Sequence, residues 1–73
     1  MEATDIMIHF SNELSTQQQT DIEEKLRQFD GVIAPRFNKE HLLVVYYNSK
    51  KTTSLLINNF IHSIGYKTHL VGM

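Results

Sequence analysis

At 73 residues the chain is expected to fold as a single domain over 1–73, and a chain of this size buries only about 60% of its unfolded surface, so its core is small. Seven Lys and Arg against eight Asp and Glu leave a net charge of −1, which excludes a global field for gathering nucleic acid or an anionic membrane surface. The complete lack of cysteine excludes disulfides and thiolate metal centres.

In chain order, the segment Met1–Asp5 is acidic and lacks an apolar stretch, and the longest apolar run is the six residues Leu42 to Tyr47. A cytoplasmic chain without membrane insertion is therefore expected. Ile6, Ile8 and Phe10 alternate with Met7, His9 and Ser11, the period of a strand with one buried face. Ser11 to Leu14 breaks the alternation and reads as a loop. Ser15, followed three residues later by Gln18, has the pattern of a capping box and predicts a helix over about Thr16 to Asp30. Ile22, Leu26 and Phe29 form its apolar stripe, and Gly31 stops it. Val32 to Phe37 is extended, but Pro35 has no N–H for a ladder and confines that strand to a sheet edge. Asn38 to His41 makes a turn before Leu42 to Tyr47, the strongest strand signal in the chain. After a polar loop, Thr52 or Thr53 caps a second helix carrying Ile57, Phe60, Ile61 and Ile64 at helical spacing. Gly65 ends it, and Lys67 to Val71 closes as a last strand.

The order strand, helix, strand, strand, helix, strand predicts an α+β, ferredoxin-like βαββαβ sandwich, with two helices on one face of a four-stranded antiparallel sheet. In that arrangement the strand order is 4-1-3-2, which places the Pro35 strand at a margin.

Ile22, Leu26, Phe29, Gly31 and Val32, with Ile57, Ile61 and Gly65-Tyr66 near the C-terminus, resemble the heavy-metal-associated domain family, the small ferredoxin-like copper and mercury chaperone modules. That family carries a Cys-x-x-Cys pair ahead of its first helix. The register of the resemblance places those two positions on Ser15 and Gln18, so the chain resembles a degenerate member without the thiolate site. The family's Gly-Met before the first cysteine is replaced by Asn12-Glu13, with Leu14 able to take the methionine's apolar slot after a shift of one. Soft copper(I) and mercury prefer sulfur, which neither serine nor glutamine supplies. The resemblance thus implies the fold and not the family's metal transfer.

Other chemistry is sparse. Asp21, Glu23 and Glu24 read as the solvent side of the first helix, no nucleophile sits with a base, and the glycines are isolated turn residues, so no enzyme activity is expected. An RNA-binding sheet is disfavoured because the third strand has Tyr46-Tyr47 without the Lys/Arg-Gly-aromatic signature or basic flanks. Of His9, His41, His62 and His69, alternation puts His9 and His69 on the open face of neighbouring strands. They form a candidate pair for Zn²⁺, Ni²⁺ or Cu²⁺, plausible as a site shared between subunits. His62 reads as a favourable charge at a helix C-terminus.

The remaining signal is apolar. With Leu43, Val45 and Tyr47 facing the helices, Leu42, Val44 and Tyr46 face outward beside Met7 and Val71, a patch that soluble monomers seldom leave exposed. The primary expectation is a non-catalytic docking or assembly module without a cofactor, using this face to bind another protein or a second copy. The alternative is divalent transition-metal binding through the histidines.

Overall fold

The structure, a computed structural model, describes residues 3–39 and 41–71. Met1 and Glu2 of the acidic start and Glu40 of the expected turn lie outside them. Six elements follow in order: β1 (Ala3–Phe10), α1 (Thr16–Arg27), β2 (Val32–Lys39), β3 (Leu42–Asn48), α2 (Ser54–Ser63) and β4 (Thr68–Val71). The four strands form one sheet in the order β2-β3-β1-β4, and every neighbouring pair is antiparallel. This is the expected ferredoxin-like arrangement. Among the described residues, no helix is long and apolar enough to cross a membrane.

The core lies between the helices and one face of the sheet. Ile8, Phe10, Leu43, Val45 and Tyr47 supply the strand side, and Ile22, Leu26, Ile57 and Ile61 supply the helix side. Period-two burial in β1 and β3 and the i, i+4 spacing in each helix are why these residues meet. Leu14, in the loop before α1, is also buried and closes the core at that end. Phe10 lies 5.6 Å from Phe37 and 5.9 Å from Tyr66 between ring centroids, so aromatic packing joins β1 to the edge strand and to the segment after α2.

α1 begins where the cap pattern places it. It ends at Arg27 rather than near Asp30, because the chain tightens: the Gln28 and Phe29 amides donate to the Lys25 and Leu26 carbonyls at 3.2 and 3.0 Å. Phe29 thereby leaves the helix and packs 5.0 Å from Phe60. Gly31, at φ +98°, then turns the chain into β2. The strand ends also move: β1 starts at Ala3, β2 and β3 run on to Lys39 and Asn48, and β4 starts at Thr68. Thr53, not Thr52, caps α2, with its hydroxyl accepting the Leu56 N–H at 3.2 Å.

Pro35 lies in the edge strand β2, opposite Val45, with its ring buried. Glu23 is no purely solvated residue of α1, since its carboxylate accepts the Phe37 N–H of β2 at 3.1 Å. That bond satisfies a strand amide on the unpaired margin of the sheet and blunts the edge. His62 is tied to β4: its Nε2 sits 2.9 Å from the Thr68 carbonyl oxygen and 3.3 Å from the Thr68 nitrogen. It serves as a strut between α2 and β4, supported by the Thr68 hydroxyl donating to Asn58 Oδ1 at 2.6 Å.

Candidate functional site

Both helices pack on the same side of the sheet as Ile8, Phe10, Leu43 and Val45, and the alternate residues face away from them. The register fixes how those residues line up. Arg36, Val44, Met7 and Val71 form a row across all four strands, and in the next row Tyr46 sits between Ala34 and Asp5. On the other side Leu42, His9 and His69 form a third row. The five apolar positions singled out in the sequence, Met7, Leu42, Val44, Tyr46 and Val71, therefore share one surface. Tyr46 and Val71 are 45% and 42% exposed, whereas Met7, Leu42 and Val44 are half-buried between their neighbours. Asp5 and Arg36 stand on the same face with opposite charge, both exposed.

The patch has a rival that helical periodicity did not single out. Leu55 and Leu56, in the first turn of α2, are 61% and 52% exposed. Their positions lie off the Ile57–Ile61 stripe, which a count of buried spacing passes over.

At one end of the open face the histidines gather. His9 is the cross-strand partner of His69, and their ring centroids are 4.7 Å apart. His41, which sequence alone leaves in a turn, approaches His9 from the other side at 5.1 Å, edge to face. Its carbonyl accepts the Phe10 N–H at 2.8 Å, so the backbone of β1 holds it there. The only signal for this was the β1–β3 register: once His9 is opposite Leu42, His41 falls diagonally beside it. His9 Nδ1 is shielded from solvent and has no hydrogen-bond partner among the described residues. A buried polar atom left unpaired costs about 1–3 kcal/mol. Among the described residues, no group of three or more His, Asp or Glu side chains is placed to hold a metal ion.

The loop that corresponds by resemblance to a thiolate metal site is built differently. Ser15 Oγ accepts the Gln18 N–H at 3.1 Å, and Gln18 Oε1 accepts the Ser15 N–H at 2.9 Å. Both side chains are committed to the reciprocal cap of α1. Beside them lies a groove of about 310 Å³ bordered by Asn12, Glu13, Leu14, Tyr66 and Lys67. With no cysteine in the chain to supply a thiolate and both cap side chains engaged, the loop does not fit copper(I) or mercury held between thiolates.

Comparison with known proteins bears on the scaffold. The chain is similar in structure to oxidized MerP from Ralstonia metallidurans CH34, with a TM-score of 0.83 over 94% of this chain and 97% of that one. At 11% sequence identity the likeness shows a shared fold. The sequence matches no protein-family model and no curated protein.

Proposed function

We propose that this chain is a non-catalytic docking module that assembles through its open sheet face, with a second copy of the chain as the occupant. The observation that carries the reading is the row Arg36–Val44–Met7–Val71 with Tyr46 beside it, an apolar strip that no helix of the described residues covers. Arg36 at its end and Asp5 beside Tyr46, opposite in charge and both exposed, favour self-pairing. A two-fold axis through the face sets Asp5 of each copy toward Arg36 of the other, the reciprocal pattern of an isologous contact. Tyr46 is the anchor, since tyrosine gives large contact area for little lost freedom. A few hundred Å² on each copy falls short of the roughly 1,200–2,000 Å² total of stable interfaces, so the association is weak and reversible.

The test is sedimentation of the wild type from micromolar to millimolar concentration, with circular dichroism on two substitutions. Tyr46→Glu is expected to give a folded monomer at every concentration, because its side chain touches no core. Tyr47→Glu is expected to unfold the chain, because Tyr47 is only 8% exposed. A wild type that stays monomeric at millimolar concentration overturns the proposal. So does association that survives Tyr46→Glu and is lost in Leu55→Glu, which moves the contact to α2.

A further inference from the structure

We propose that the groove between the loop before α1 and the loop after α2 binds a small zwitterion with an apolar body, a free apolar α-amino acid. None of the apolar residues proposed to dock lines this groove, so the site stands apart from docking.

The groove encloses about 310 Å³, at the lower end of the roughly 300–1,000 Å³ of small-ligand sites. One wall is apolar and fixed by the core. Phe10 and Leu14 are buried, and the half-buried Tyr66 ring stands edge-to-face on Phe10 at 5.9 Å. The two loops are tied to each other by the Ser11 N–H, which donates to the Lys67 carbonyl at 3.0 Å. The wall is therefore formed before any ligand arrives, which keeps the ordering cost of binding low.

What marks the groove as a site is charge held apart. Glu13 and Lys67 are opposite in charge, line the same groove and are both exposed. Among the described residues the ion pairs are those of Lys25 with Asp21 and Arg27 with Glu23, so Glu13 and Lys67 pair neither with each other nor with a third group. A lone anion would be drawn to Lys67 and repelled by Glu13, and a lone cation the reverse. A molecule carrying both charges satisfies both side chains at once, with its carboxylate toward Lys67 and its ammonium toward Glu13. The apolar wall then takes the ligand's side chain, and an aromatic one gains a ring contact with Tyr66. The Asn12 amide, which donates and accepts, stands on the same rim. A ligand of this size in a groove open to solvent is held at roughly millimolar Kd.

Amide-resolved NMR of the full chain, titrated with L-phenylalanine and with L-leucine, tests the site. Saturable one-to-one shifts are expected at the amides of Phe10 to Gln18 and of Gly65 to Lys67. Hydrocinnamate, which lacks the ammonium, and phenethylamine, which lacks the carboxylate, are each expected to bind about fivefold more weakly than phenylalanine, the upper end of what an exposed charge pair contributes. Lys67→Gln is expected to weaken phenylalanine by a similar factor without weakening phenethylamine. Glu13→Gln is expected to weaken phenylalanine without weakening hydrocinnamate. Both residues are exposed, so both variants keep the fold by circular dichroism, and Lys50→Gln, outside the groove, is expected to leave every affinity unchanged. No saturable shift with either amino acid up to its solubility overturns the site. Analogues that bind as tightly as phenylalanine, or affinity unchanged in both charge variants, also overturn it, leaving an apolar crevice without charge selection.

Discussion

Ser15 and Gln18 show how two side chains within one turn can settle where a helix starts. The Ser15 hydroxyl and the Gln18 amide close a reciprocal cap, satisfying two amides that a helix start otherwise leaves unpaired. Ser15→Ala is expected to lower stability by about 0.5–2 kcal/mol in urea unfolding. This cap was fully legible in the sequence, since both partners lie within one turn. His9 and His69 were legible as a pair because strand alternation and strand order suffice to bring them together. His41 was not, because its place beside His9 depends on a register between β1 and β3 that no local pattern encodes. Glu23 was missed for the same reason: its partner is the Phe37 amide, fourteen residues away and on another element.

Among the helices, starts were easier to read than ends. A start is marked by a side chain that caps it, whereas the end of α1 is decided by where Phe29 can bury itself. Its spacing from Ile22 and Leu26 continues the helical stripe, yet it packs on Phe60 from outside the helix. Both turn glycines were expected to stop helices, but the structure separates them. Gly31 and Gly65 have φ of +98° and +103°, a region that costs a side-chain-bearing residue roughly 1–2 kcal/mol. At Gly31 a Cβ would also lie 2.8 Å from Thr52 Cγ2 and 3.0 Å from Lys51 Cβ, whereas at Gly65 it would meet nothing within 4 Å. Thr52 is itself 4% exposed and has no room to yield. Gly65→Ala is therefore expected to cost only the backbone term, and Gly31→Ala to cost more by a further 1–3 kcal/mol or so of overpacking. Equal losses for the two in chemical denaturation would show that the contact with Thr52 relaxes freely.

At the scale of the whole molecule, a small core leaves little reserve, and association through the open face should register as stability. A domain of this length holds roughly 4–11 kcal/mol at 0.05–0.15 kcal/mol per residue, so even a modest linked equilibrium is a measurable fraction. Binding of a second copy to the folded chain adds RT ln(1 + [L]/Kd), about 1.4 kcal/mol when the free concentration is about ten times Kd. For a chain of this size each kcal/mol moves Tm by about 4–8 °C. Tm is therefore expected to rise by several degrees as the wild type is concentrated from well below Kd to well above it. Tyr46→Glu should flatten that dependence while matching the dilute wild type, because it removes the anchor of the face without touching Leu43, Val45 or the helices that cover them. Scanning calorimetry on both chains across the concentration range decides the matter. A wild-type Tm independent of concentration up to the millimolar range would mean that the row from Arg36 to Val71 stays in water, its β-branched residues serving strand formation alone.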